Sequence, residues 1–276
     1  MCNAITKFIT AGALALALAA CSDADKDGAT ALYGEAQQLI DSKQYTQALV
    51  TLDTLNARYP AQTEVRRGAL NLRAQAMQGI ALDSIETSSR ALAEATVEVE
   101  RLKPQFKHID SSVGLEGYYI PNSAQAKVMS ATGIQPRVSD EGFFYLVVNI
   151  QGRNIGFNTV EFVDGAESVT STPISASRVV RVEGSETASL NPEDIEAVGP
   201  WLIAHPKCSK AVLLGTKGKV PVKLDSKLRA QLDECYLYAK ALQDLRLASI
   251  KREKYERMLA TARDQLANNP EMAKEK

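Results

Sequence analysis

The segment FFYLVVNIQGRNIGFNTVEFV, residues 143–163, decides between an all-helical chain and a mixed one. Phe143, Tyr145, Val147 and Asn149 alternate with Phe144, Leu146, Val148 and Ile150, and a period of two belongs to a strand. Gly152-Arg153-Asn154 then turns the chain before Ile155, Phe157, Val160, Phe162 and Val163, so the spacing predicts a β-hairpin. In front of it, Ser139-Asp140-Glu141-Gly142 makes another turn, preceded by a strand from Ile134 to Val138. Behind it, strands are expected at 167–172, 178–183, 210–214 and 219–224, the last two joined by Gly215-Thr216-Lys217-Gly218. Links this short imply a meander. Asn191-Pro192-Glu193-Asp194 is a helix start, with a capping Asn, Pro at the first position and acids at the positive end of the dipole. The short helix it opens, to about Ala204, carries Trp201 and is expected to cover the sheet.

On both sides of this region the period becomes helical. From Glu64 to about Lys103 no proline interrupts, and Leu82, Ile85, Ser89, Leu92, Thr96 and Val99 step by three and four, a heptad seam that Pro104 stops. Leu228, Leu232, Cys235, Ala239 and Leu242 repeat the pattern in a segment that runs to Leu266, with Asp225 or Ser226 as its cap. Each helix is roughly 60 Å long at 1.5 Å per residue. The economical arrangement is antiparallel, each seam buried on the other. Further out, Leu32, Ala36 and Leu39, a polar turn at Lys43-Gln44, and Tyr45, Ala48, Leu52 and Leu55 before Tyr59-Pro60 read as a helical hairpin.

Those positions resemble one tetratricopeptide repeat: Leu32, Ala36, Leu39, Tyr45, Ala48 and Pro60 stand where that motif has its two helices and its terminator. Small alanines let the helices approach and the proline ends the second. No second copy follows, and one hairpin cannot bury its own apolar face. The long helix directly downstream is expected to cover it.

The N-terminus reads as an address. Lys7 is the only charge before a run from Phe8 to Ala20 that is too short and too rich in alanine for a membrane span, the pattern of a signal peptide. Leu18-Ala19-Ala20-Cys21 resembles the lipobox of bacterial lipoproteins, which implies acylation of Cys21 and stable anchoring by several chains. Ser22 after the cysteine implies the outer membrane, and the acidic run from Asp23 to Asp27 is either a solvated spacer or a tether for surface display. The whole pattern resembles a group of uncharacterised bacterial outer-membrane lipoproteins with a lipobox, one tetratricopeptide-like (TPR-like) hairpin and a coiled-coil stalk. The expected class is α+β: a TPR-like hairpin and a long antiparallel helical stalk carrying an inserted antiparallel β-rich head. The divisions are a signal peptide at 1–20, an acidic tether at 21–30, hairpin and long helix at 31–107, head at 108–224, stalk helix at 225–267 and tail at 268–276.

Chemistry is sparse. Lys plus Arg total 32 against 33 Asp plus Glu, so no overall basic field attracts nucleic acid. His108 and His205 are the only histidines, and no phosphate loop, HExxH or G-x-S-x-G is present. No enzyme, cofactor or metal site is expected. Asp23-x-Asp25-x-Asp27-Gly28 starts like a calcium loop, but its twelfth position is Gly34 and no bidentate carboxylate stands there. Cys2 leaves with the signal peptide and Cys21 takes lipid, so Cys208 and Cys235 remain as a candidate disulfide or two independent thiols. Tyr45, Tyr59, Tyr118 and Tyr119 are candidate interaction residues. The function expected is a non-enzymatic, lipid-anchored envelope scaffold that binds another envelope protein. The alternative is a surface lipoprotein whose head holds a glycan or small ligand on Tyr118, Tyr119 or Trp201.

Overall fold

The computed structural model describes residues 6–110, 117–125 and 129–268, with side chains from residue 24 onward. Among the described residues there are five α-helices, α1 (Thr6–Asp41), α2 (Tyr45–Arg58), α3 (Thr63–Leu102), α4 (Val198–Ala204) and α5 (Ser226–Asn268). The described residues between α3 and α5 form ten strands: β1 (Phe106–Ile109), β2 (Tyr118–Pro121), β3 (Gly133–Ser139), β4 (Phe144–Ile150), β5 (Phe157–Asp164), β6 (Glu167–Thr170), β7 (Val179–Val182), β8 (Ser185–Leu190), β9 (Lys210–Gly215) and β10 (Gly218–Lys223). No helix among the described residues is long and apolar enough to cross a membrane. The chain divides into two compact units, Met1–Arg90 with Ser249–Lys276, and Ala91–Ala248.

In the first unit α1 and α2 form the hairpin that the apolar spacing predicts. Ala36 and Ala48 are fully buried, so nothing larger than a methyl group separates the backbones there. Leu52 and Leu55 of α2 share a core with Ala36 and with Ala69 and Leu72 of α3. The first turns of α3 therefore cover the apolar face that a single hairpin leaves open. Gly79 and Gly28 allow two further close approaches: a Cβ at Gly79 would collide with the ring of Tyr45, and one at Gly28 with the hydroxyl of Tyr59.

Of the expected seam on α3, Val99 is buried and Ile85 and Leu92 are half-buried, while the row through Leu82, Ser89 and Thr96 gives way to its neighbours one residue earlier. Ala74, Ala81, Ser88, Ala95 and Leu102 recur every seven residues and are buried, whereas Leu82 is 47% exposed.

In the second unit the strands form two antiparallel sheets, of order β1-β2-β3-β4-β8-β7 and β10-β9-β5-β6. One hydrophobic core joins Leu146 and Val148 of β4, Val160 and Phe162 of β5, Leu213 of β9 and Leu202 of α4. The expected hairpin of β4 with β5 does not form. β4 pairs with β3 and β8, while β5 pairs with β6 and β9 in the other sheet. The cause is Glu186 on β8, 1% exposed, whose carboxylate accepts the backbone N–H groups of Ile155 (2.9 Å), Gly156 (3.1 Å) and Phe157 (3.2 Å). These donors are turned to a side chain instead of to β4, so the chain crosses between sheets.

The helix expected from Asn191 is also divided. Asn191 and Asp194 form a reciprocal cap, but the turn Pro192–Asp194 is a 3-10 turn and α4 begins only at Val198. The Asp194 carbonyl accepts the N–H of Thr172 at 2.7 Å and its carboxylate takes a bidentate pair from Arg178. Val198 consequently donates to Ile195 rather than continuing an α-helix from Asp194.

The expected apolar row at the start of α5 is buried, but against the β core. Leu232, Cys235, Tyr238 and Ala239 join the sheet residues in one cluster. Tyr238 stacks on Phe106 at 4.3 Å between centroids, and Gln243 donates to the carbonyls of Glu141 and Gly142 in the β3–β4 turn.

Candidate functional site

An accessible concave surface of the first unit lies on the hairpin. The α1–α2 turn is a Schellman motif: Gln44 N–H bonds the Leu39 carbonyl at 2.7 Å and Lys43 N–H the Ile40 carbonyl at 2.9 Å. Lys43 occupies the position usually held by glycine, with φ of 60°. This sharp turn lays α2 back along α1 and leaves a groove of about 320 Å³ lined by Glu35, Leu39, Thr46, Gln47, Val50 and Thr51. Val50 is 62% exposed, and Thr51 donates to Glu35 Oε1 at 3.5 Å. The wall is thus apolar along Leu39 and Val50 with polar groups at its rim. Beside it, a second concavity of about 360 Å³ runs from Lys43 and Tyr45 to Ile80, Asp83 and Ser84 of α3, and Thr46 and Gln47 line both. An apolar strip with polar edges suits a segment of polypeptide, which supplies side chains for the strip and hydrogen bonds for the edges.

Of the aromatic candidates, Tyr45 lines this surface and packs half-buried over Gly79, while Tyr59 is half-buried over Gly28. Tyr118 lies on the outer face of the six-stranded sheet with the Arg137 guanidinium 4.0 Å above its ring. Tyr119 packs on the core, 5.7 Å from Tyr238 and 4.8 Å from His108. Trp201 is partly buried and stacks on His205 at 4.0 Å. The structure does not bring Tyr118, Tyr119 and Trp201 onto one open patch, because each ring has a partner of its own.

Cys208 and Cys235 are free thiols, both buried. Cys208 donates to the carbonyls of Val163 and Lys210, and burial pushes its pKa up. Cys235 is completely enclosed, and burial lifts its pKa well above the usual thiol range. The side chain of Cys21 lies outside the described residues. Asp25 and Asp27 stand exposed on α1, so their backbone is helical rather than looped. Among the described residues no group of three or more His, Cys, Asp or Glu is placed to hold a metal ion.

Both histidines are held by two oxygen acceptors. His108 Nε2 lies 2.7 Å from Asp140 and Nδ1 2.9 Å from Asp110, and the hydrogen bond to Asp140, followed by that carboxylate's charge and by Asp110, raises its pKa. His205 Nδ1 faces the Trp201 carbonyl and Nε2 faces Glu167, and the carbonyl and then the carboxylate raise its pKa. A ring with oxygen acceptors at both nitrogens can donate to both only as the imidazolium, so these contacts favour the protonated form. Glu186, the anchor of the sheet crossing, escaped sequence reasoning. A lone acid in Ser185-Glu186-Thr187 reads as solvated, and only the glycines at 152 and 156 hint that a backbone approaches something closely.

Residues 22–130 match the tetratricopeptide repeat family. The chain is also 30% identical over 130 residues to the outer membrane protein assembly factor BamD of Neisseria gonorrhoeae, a match covering 44% of this chain and 46% of that protein. The chain therefore spans less than half the length of this curated relative. No solved structure matches.

Proposed function

We infer that this chain is a non-enzymatic, lipid-anchored scaffold of the bacterial outer membrane, with the α1–α2 groove taking a segment of another envelope protein. The observation that carries the reading is the groove itself, an exposed apolar wall at Leu39 and Val50 with polar rims on a tetratricopeptide-type hairpin. The partial similarity to an outer-membrane assembly factor supports the location and the kind of partner. Acylation of Cys21 supplies the anchor. Buried small residues at heptad spacing on α3, and Ala241, Ala248 and Ala262 spaced by seven and fourteen on α5, support the antiparallel coiled-coil stalk. The glycan reading receives no such support, because its three rings are engaged within the head.

The test is site-specific photocrosslinking in the exported full-length chain, with the probe at Gln47 or Val50 and a control at Lys254. A discrete adduct to one envelope protein from the groove sites, abolished by Val50→Asp and absent from the control, is the expected result. Adducts of the same pattern from all three sites would overturn the reading. Metabolic palmitate labelling that survives Cys21→Ser would remove the anchor.

A further inference from the structure

A second surface, in the other unit, carries an unbalanced charge. Between Lys207 and Lys227 the chain holds six lysines, at 207, 210, 217, 219, 223 and 227, and a single acid, Asp225. The rest of the chain holds 26 basic and 32 acidic residues, so the positive charge is local and invisible in the total. All six lysines are exposed, and among the described residues none has an ion-pair partner. Asp225 does not neutralise them, since its carboxylate caps α5 through the N–H of Leu228 at 2.8 Å.

The strand register puts three of these lysines, Lys210, Lys219 and Lys223, on one face. β10 alternates, burying Val220 and Val222 while exposing Lys219, Pro221 and Lys223. Lys223 stands directly opposite Lys210 on β9, and Lys219 opposite Leu214. Protection of an exposed edge accounts for Lys219 and Pro221, because charge and proline deter strand pairing. It does not account for Lys210, since β9 lies inside its sheet between β10 and β5. Like charges facing each other across a strand pair destabilise it. Glu161 of β5, opposite Val212, shares this face but makes no ion pair with Lys210 or Lys223, so the two facing lysines keep charge that an external anion can balance. Neighbouring strands are about 4.8 Å apart and alternate residues about 6.7 Å, so the ammonium groups spread over a surface instead of converging on a point.

We propose that the solvent face of the β9–β10 hairpin docks on an anionic lipid surface, its lysines reading headgroup phosphates. A plane of dispersed charges matches a plane of dispersed phosphates, and Leu214 stands beside Lys219 and Val212 beside Pro221 on the same face. This contact is independent of the groove and of its partner. It gives a lipid-anchored chain a second, salt-sensitive hold on the membrane.

The experiment is vesicle co-sedimentation of the full chain carrying Cys21→Ala, which removes acylation. Phosphatidylcholine vesicles doped with phosphatidylglycerol are compared with pure phosphatidylcholine, so any binding by the apolar leader is common to both. The expected result is partitioning at least about tenfold stronger into the anionic vesicles, lost at high salt. Lys219→Gln with Lys223→Gln removes most of this preference, at about fivefold per lysine. The control pair Lys251→Gln with Lys254→Gln, equal in charge change and placed on α5, leaves it unchanged. Equal binding to both vesicle types, or equal losses in the two variants, would overturn the proposal. Preferential capture of polyglutamate or of nucleic acid over anionic vesicles would assign the face to that macromolecule instead. Lys219 and Lys223 are exposed, so unaltered circular dichroism of their variant separates lost docking from lost folding.

Discussion

Replacing Glu186 tests whether a single buried carboxylate routes the chain between the two sheets. Its Oε2 accepts from Ile155 and Phe157, and its Oε1 accepts from Gly156 and from Arg181 Nε at 3.0 Å. Gly156 has a second acceptor, Asn154 Oδ1 at 3.1 Å, and the partly exposed Arg181 can turn to water. Glu186→Ala therefore strands two buried donors, each costing about 1–3 kcal/mol, and adds a small void. The sum is about 4 kcal/mol, a large share of the 5–15 kcal/mol typical of a domain. For a unit of this size the melting temperature should fall by about 10 °C. Glu186→Gln retains one oxygen for Ile155 and Phe157 and turns its amide toward Arg181, so its cost is about 1–2 kcal/mol. Urea unfolding followed by the strand signal in circular dichroism and by fluorescence of Trp201, which reports the same unit, gives both values. An alanine variant within about 1 kcal/mol of the parent, or a glutamine variant no milder than alanine, refutes the reasoning.

Four further outcomes are expected. The pKa of His108 is raised in the fold, so its contribution to stability is complete below the unfolded value near 6.5 and is lost as pH rises through the folded value; NMR titration of the ring checks this, and a His108 midpoint at or below the ordinary value contradicts it. On α3, Ala81→Leu should cost about 1–3 kcal/mol by overpacking, while Leu82→Ala stays within about 0.5 kcal/mol, as measured by thermal melts. Lys43→Gly should stabilise the first unit by about 1 kcal/mol, because lysine at φ of 60° pays a steric cost that glycine avoids. In a chain carrying Cys2→Ser and Cys21→Ser, Cys235 should resist a thiol reagent until unfolding, and labelling in the native state at the rate of a free thiol would exclude the packing described.

Periodicity made most of the elements legible. Strands β3 to β7, β9 and β10 and the helices α2, α3 and α5 announce themselves by alternation or by three-four spacing, since burying one face of an element leaves its own period in the sequence. β1, β2 and β8 were silent for identifiable reasons. β1 and β2 are four-residue pieces with charged or aromatic outer positions, and the inner residues of Ser185–Leu190 are Glu186, Ala188 and Leu190, of which only leucine reads as apolar. The groove was half legible: Tyr45 was named from its place in the hairpin, but Val50 and Gln47 become a surface only when α1 and α2 close. The lysine face was missed because a balanced total hides a local excess.

The sequence by itself determined the α+β class, the helical hairpin and the helix that covers it, because these depend on contacts close along the chain or on the period of one element. Only the tertiary structure decided partnership. Which strand pairs with β4, whether the start of α5 serves the sheet, and whether Ala81 or Leu82 turns inward all rest on groups distant in sequence, such as Glu186 against Ile155 and Tyr238 against Phe106. A donor count or an interhelical distance is a property of two segments together, and no window along one of them contains it.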